Sequence, residues 1–294
     1  MTAPVPASNA TISGDAFEGC GVNSPDRDIR SFRLSIEYDG TRFKGWQRQG
    51  EAQGTRTVAG VIEKTLQDAG LDVVTLVGSG RTDAGVHALA QVAHLHLGPA
   101  RSPCEALVAR TFDKGLPPDV SVRTVVACDP TFNARHDAVS RSYLYQVVTR
   151  RSALARRFGW CVTGAIDPAR LAEAWRVFEG FHDVAAFASP LGREDTRCEV
   201  LRCETAQAGA TILLRVTASH FLRRQARRMV GAAVACGLGL ATTTLVARAL
   251  AAPDHEAALE WSRHTAPPEG LFLEHVRYPG EPEVGPVAPV VRVV

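Results

Sequence analysis

Apolar and polar side chains alternate from Ser31 to Tyr38: Phe32, Leu34, Ile36 and Tyr38 are interleaved with Ser31, Arg33, Ser35 and Glu37. A period of two predicts a half-buried strand, and Asp39-Gly40 ends it. Val58, Val61, Ile62, Thr65, Leu66 and Ala69 then recur at helical spacing, with Gly70 as a natural stop. Apolar runs predict strands at about 72–77 and 89–97. Ser102-Pro-Cys-Glu105 reads as a capping box with proline at the first helical position, and Gly115 closes that helix. Val120 to Ala127 reads as a strand. The order β-α-β-β-α-β is the split arrangement of ferredoxin-like domains.

The second half repeats that order. A strand carries Tyr143, Tyr145 and Val147, and Asp167-Pro168 opens a helix bearing Leu171, Ala174, Trp175 and Phe178. Strands near 197–206 and 210–217 follow, then a helix over 220–236, further helix across 242–263 and a final strand from Leu271 to Tyr278. No residue-level repeat accompanies the repeated order. The pattern predicts an α+β fold of two ferredoxin-like-related halves, each an antiparallel sheet with helices on one face, and a cleft between them. The expected divisions are a disordered tail over 1–29, an N-terminal α+β domain over 30–137, a C-terminal α+β domain over 138–279 and a loose extension over 280–294.

A chain of 294 residues accommodates two such units, and 45% hydrophobic with 22% charged residues is the composition of a soluble globular protein with ample core. Segment 1–30 lacks a basic start and a continuous apolar stretch, so a signal peptide is not expected, and its composition suits disorder. No stretch approaches the length of a membrane span. The seven cysteines are scattered, without Cys-x-x-Cys or zinc spacing, which suits reduced thiols in a cytoplasm. A net charge of +2 does not by itself identify an RNA partner. Clustering changes the picture: Arg215, Arg223, Arg224, Arg227 and Arg228 fall within fourteen residues, and Arg141, Arg150, Arg151, Arg156 and Arg157 form a second group. Solvated faces are the ordinary explanation of such runs, but two in one chain favour a polyanionic ligand modestly.

The candidate chemistry begins in the loop between the second and third predicted strands, within Gly78-Ser-Gly-Arg-Thr-Asp83-Ala-Gly-Val-His-Ala88. A hairpin needs only a short turn; this loop is longer and embeds Arg81 and Asp83 among three glycines. A cation beside a carboxylate favours its charged form, and an ionised carboxylate without a metal serves as nucleophile or general base. The bland alternative is a structural salt bridge within a turn.

Other constellations are weaker. Read at 100° per residue, Leu222, Ala226, Met229, Val230 and Ala233 share one stripe of the arginine helix. Arg223 and Arg227 lie at its edge, from where Arg227 can bury its stem and reach a carboxylate in a cleft. Arg224 and Arg228 lie opposite, toward solvent, as candidates for phosphate contacts. Tyr143 and Tyr145 share a strand face, suited to stacking on an extruded base or simply to core packing. His94 and His96 share a face without a third ligand, so a metal site is not expected. Gly40 to Gln49 mixes basic and aromatic residues, suited to RNA contact or to a tryptophan packed on its own domain.

The Asp83 loop resembles the active-site loop of the tRNA pseudouridine synthase A family, which acts on the anticodon stem-loop. The resemblance extends through Tyr38-Asp-Gly, Gly45-Trp-Gln-Arg-Gln49, Arg56-Thr-Val58, Leu116-Pro-Pro-Asp-Val120, Phe132-Asn-Ala-Arg-His136, Arg141-Ser-Tyr-Leu-Tyr145, Phe221 to Gly231 and Pro268 to Leu273. Asp113 departs from it, standing where the family usually has Asn. The resemblance implies isomerisation of uridine to pseudouridine at tRNA positions 38, 39 and 40, a homodimer and no cofactor. It also implies residue roles. Asp83 initiates the reaction, Arg227 pairs with it, Arg81 supports the flipped nucleotide, Tyr143 contacts the uracil and Leu271 lines its pocket. Two other readings remain at this stage: an RNA-binding protein of the same fold without turnover, and an aspartate nucleophile acting on a small molecule.

Overall fold

The computed structural model describes residues 29–47, 55–101, 103–189 and 195–293. The expected tail, apart from residue 29, therefore lies outside the described residues, as do Arg48, Gln49 and the first residue of the expected capping box, Ser102. The first half contains β1 (Arg30–Tyr38), α1 (Val58–Asp68), β2 (Val73–Gly78), β3 (His87–Leu97), α2 (Glu105–Gly115) and β4 (Val120–Ala127). The second contains β5 (Ser140–Val148), β6 (Trp160–Cys161), α3 (Pro168–Arg176), β7 (Gly180–Asp183), β8 (Arg197–Ala208) and β9 (Thr211–Ala218). It continues through α4 (Gln225–Gly237), α5 (Thr243–Ala251), α6 (His255–Arg263) and β10 (Leu271–Arg277).

Local chemistry explains the helix ends. Thr57 caps α1 by accepting from the Gly60 amide, and Asp167 caps α3 with Pro168 at its first position. The helix expected across 242–263 is broken at Pro253, with Asp254 capping the second piece. One expectation is corrected at α2: its N-cap is Cys104, which makes no side-chain capping bond. Glu105 reaches across to the Ala127 amide of β4 instead.

The α+β class holds, and the strands of both halves merge into one ten-stranded sheet. The spatial order β4-β1-β3-β2 recurs in the second half as β10-β5-β9-β8, the same arrangement of first, second, third and fourth strands. The halves join where β10 pairs in parallel with β3, at Phe272 opposite His87 and Leu273 opposite Ala88. β2 pairs with β3 only as far as Gly78 opposite Ala93. One neighbour of β3 is thus replaced by another, and the loop 79–86 emerges at the changeover. The main apolar core runs through both halves, with Leu34 and Ile36 in one cluster with Ile62, Leu66 and Phe112, and with Trp175, Phe178 and Phe187. No helix among the described residues is long and apolar enough to cross a membrane.

Two polar pairs fasten this frame. Arg56 forks onto Asp119 at 2.8 and 2.7 Å, tying the start of α1 to the start of β4. This bond holds the Asp119 carboxyl below the usual carboxylate range. A lowered folded value means that the contribution is complete above the unfolded value of about 4 and is lost as pH falls from there through the lower folded one. Acid titration of stability is therefore expected to be shallower in Asp119→Asn than in the parent below a pH of about 4, measured by denaturant unfolding at each pH.

Arg215, counted above among the basic residues, is buried and belongs to the second pair. It binds both oxygens of Glu274 at 2.7 and 2.6 Å and the carbonyls of Gly285 and Pro286. The segment after β10, expected to be loose, is thereby strapped to the sheet. Gln146 Oε1 accepts from the Val290 and Val291 amides, and Val293 bridges Gly209.

Candidate active site

The cleft between the halves has a volume of about 840 Å³, and the loop after β2 forms one wall. Entering the cleft from the changeover on β3, the loop passes Ser79, Gly80, Arg81 and Thr82 before presenting Asp83. Gly85 turns it back with φ +81°, where a Cβ would also meet the Pro268 ring at 2.9 Å. A residue other than glycine is strained there.

The opposite wall comes from the second half. Tyr143 on β5, Leu271 at the start of β10 and Phe221 after β9 form its apolar part. Phe221 meets the Tyr143 ring edge-on at 4.8 Å. Burial, reinforced by the neighbouring Tyr38 and Asp83, raises the Tyr143 hydroxyl above the ordinary tyrosine value, so it is a neutral donor at pH 7. From α4, Arg227 Nη1 donates to Asp83 Oδ2 at 3.1 Å across the cleft, and its Nε donates to the Ala266 carbonyl at 2.8 Å. The arginine is thus aimed by a backbone acceptor as well as by its carboxylate.

A carboxylate paired with one arginine, beside a neutral tyrosine and within a cleft rimmed by cations, has the groups needed to attack or deprotonate an uncharged ring or sugar bound next to a phosphate chain. The sequence model of the tRNA pseudouridine synthase family matches residues 34–137 and 174–279, which include Asp83 and Arg227. The chain belongs to this family. Curated relatives named tRNA pseudouridine synthase A extend the match. That of Sinorhizobium fredii is 35% identical over 256 residues, covering 84% of this chain and 99% of its own length. That of Geotalea uraniireducens is 37% identical over 257 residues, covering 85% and 100%. That of Agrobacterium fabrum is 34% identical over 252 residues, covering 84% and 92%.

The synthase brings Asp83, Arg227, Tyr143, Leu271, Arg81 and Arg224 to one cleft. Arg81 is exposed on its rim and makes no ion pair among the described residues, so the partner of Asp83 is Arg227. Arg224 is exposed on the same rim but lies outside the helix. Its φ of +64° is left-handed, and α4 starts only at Gln225, whose side-chain oxygen accepts from the Leu222 amide. Left-handed non-glycine backbone is uncommon and concentrates at functional sites.

Arg228 is corrected. It does not face solvent as a phosphate contact: it is buried, donating to the Ala188 carbonyl and at 2.8 Å to Ser189 Oγ. The reason is that α4 is covered on more than one side, by α3, α6 and the short turn Ala185–Phe187 as well as by the core. Arg141 is also buried. It donates to the carbonyls of Ser79, Arg135, Ala138 and Ser219, joining both walls of the cleft.

The remaining motifs resolve structurally. Trp46 is buried beside Tyr38 and packs on Gly78, where a Cβ would approach its ring to 2.7 Å. Tyr145 donates to the Pro267 carbonyl at 2.8 Å, behind the pocket wall. His94 accepts from the Ala134 amide at 3.0 Å. Asp113 is exposed near the end of α2 and does not line the cleft. Sequence reasoning gave no role to Gln91, to the backbone acceptor at Ala266 or to Arg135, which it met only within the Phe132–His136 motif. Gln91 carried a signal of its own, as an amide in a strand otherwise made of apolar residues and histidines.

Proposed function

We propose that this chain isomerises uridine to pseudouridine at positions 38, 39 and 40 of the tRNA anticodon stem-loop, with Asp83 as the catalytic group. The observation that carries this reading is the Asp83–Arg227 pair, made between the two halves at the floor of a cleft rimmed by Arg81, Arg223 and Arg224. The half over 30–137 supplies the carboxylate, and the half over 138–279 supplies its arginine and the base-contacting wall. The reaction breaks the C1′–N1 bond, forms C1′–C5, releases the C5 proton and protonates N1, so it is a redox-neutral isomerisation. Asp83 begins it by attack on C1′, by attack on the ring or by removing the 2′ proton; all three need its charged form. Tyr143 stacks on the base, and Leu271 closes its pocket.

Flipping a nucleotide costs a few kcal/mol, and phosphate contacts from the exposed arginines offset it. Arg224→Ala is expected to lower tRNA affinity and reduce the salt slope by about one, leaving turnover at saturating tRNA unchanged. Filter binding across a salt series measures both. An unchanged slope would return Arg224 to a merely solvated role. Assembly as a homodimer in the cytoplasm belongs to the same proposal, and sedimentation at assay concentration tests the dimer. The direct test of the function is incubation with unmodified tRNA followed by mapping of pseudouridines by position. Product elsewhere, or none, would overturn it.

A further inference from the structure

We infer that a buried polar cradle beneath the Asp83 loop, formed by Gln91 and Tyr38, positions the carboxylate for reaction. The inference rests on the reading of Asp83 given above. Gln91 lies on β3 with no solvent exposure, in a strand whose neighbouring residues are mostly buried and apolar. Its Oε1 accepts from Ser79 Oγ at 2.8 Å, and its Nε2 donates to the Gly80 carbonyl at 2.9 Å. Tyr38, on the adjacent strand β1, bonds Thr82 Oγ1 at 2.8 Å through its hydroxyl, which also lies beside the Gln91 amide. Two bonds to the Ser79 backbone complete the support: its amide donates to the Val92 carbonyl at 2.7 Å, and the Arg141 guanidinium donates to its carbonyl at 2.9 Å.

Three of the four residues that precede Asp83 are therefore held from below, and the fourth, Arg81, is left exposed. A buried amide that is fully satisfied gains little stability over an apolar side chain of the same shape. It does gain geometry. The Gln91 carboxamide bonds the loop at both Ser79 and Gly80, so it sets where that loop rests relative to the sheet. The Asp83–Arg227 contact spans the two halves, and a loop displaced by an ångström no longer brings the carboxylate to a bound nucleotide. A misplacement of that size costs about 10²-fold in rate. Gln91 and Tyr38 are positioning residues: they touch the loop, not the substrate.

The test compares Gln91→Met, which removes both loop bonds at similar volume, with Tyr38→Phe, which removes one, and with Asp83→Asn. Single-turnover rate, tRNA affinity and its salt slope are measured well below each variant's unfolding temperature. The expected result is a loss of about 10²-fold in rate for Gln91→Met and about tenfold for Tyr38→Phe, with affinity within about twofold in both. A rate within about twofold of the parent in folded Gln91→Met, or a fall in affinity equal to the fall in rate, would overturn the cradle. If Gln91→Met does not fold, Tyr38→Phe decides by the same criteria. Retained turnover in Asp83→Asn would instead overturn the reading of Asp83, whatever the cradle variants do.

Discussion

Asp83→Asn is expected to lose pseudouridine formation by about 10³-fold or more while keeping tRNA affinity within about threefold. Asparagine has nearly the shape of aspartate, but it offers neither a nucleophilic oxygen nor a base. The architecture around it survives the change. Arg227 keeps its Nε bond to the Ala266 carbonyl, and the loop keeps its ties to Gln91 and Tyr38. The phosphate-contacting candidates Arg223 and Arg224 stand on another segment of the rim, so their share of the docking energy is left in place. Position-resolved mapping of pseudouridine after a long incubation, run beside a binding assay, separates the two quantities. Turnover near the parental rate would remove Asp83 from the chemistry. A parallel collapse in affinity would make it a structural anchor of the cleft.

The largest expected effect on stability comes from a residue outside the cleft. Gly231 lies one turn along α4 from Arg227, and a Cβ there would stand 1.5 Å from the His264 carbonyl oxygen and 2.7 Å from its carbon. Both atoms are backbone, so no rotamer change relieves the overlap. Helix and strap must part, yet two hydrogen bonds join them at this place: the Ala266 amide to the Arg227 carbonyl at 3.0 Å and Arg227 Nε to the Ala266 carbonyl at 2.8 Å. Overpacking of a fitted contact costs about 1–3 kcal/mol, occasionally more. Gly231→Ala should therefore melt about 5 °C or more below the parent, a few degrees for each kcal/mol in a chain of this size. The displaced Arg227 should also lower the rate in the surviving folded fraction. A thermal scan and a single-turnover assay check the two outcomes, and a variant with unchanged Tm would show that the 264–266 strap yields freely.

The contrast among the arginines shows why the site was only partly legible in the chain. Arg224 and Arg228 are one helical turn apart in sequence, and a helical wheel treats them alike. One is exposed on the cleft rim in a left-handed conformation; the other is buried on Ala188 and Ser189. A wheel assumes a single packed face, and α4 has several. Arg215 and Arg223 diverge for a similar reason, since the β9 arginine meets Glu274 of β10, on the far side of β5, while the later one meets solvent. The strand tyrosines behaved alike only in direction. Tyr143 borders the cleft, whereas Tyr145 supports the Pro267 segment behind it.

Strand alternation and the Asp167-Pro168 helix start depend on neighbours close along the chain, so reading residues in order placed most elements and their repeated succession, but not the break at Pro253, the N-cap of α2 or the start of α4 at Gln225. The long glycine-bearing loop around Asp83 was legible for the same reason: its composition departs from what a simple turn requires. Which cation meets that carboxylate was settled across 144 positions of sequence, by a contact between two halves. The merging of both sheets through β3 and β10, the burial of Arg228 and the bonds from Gln91 to the loop likewise depend on packing between distant segments. Burial and hydrogen-bond partnership are properties of such packing, and no periodicity encodes them.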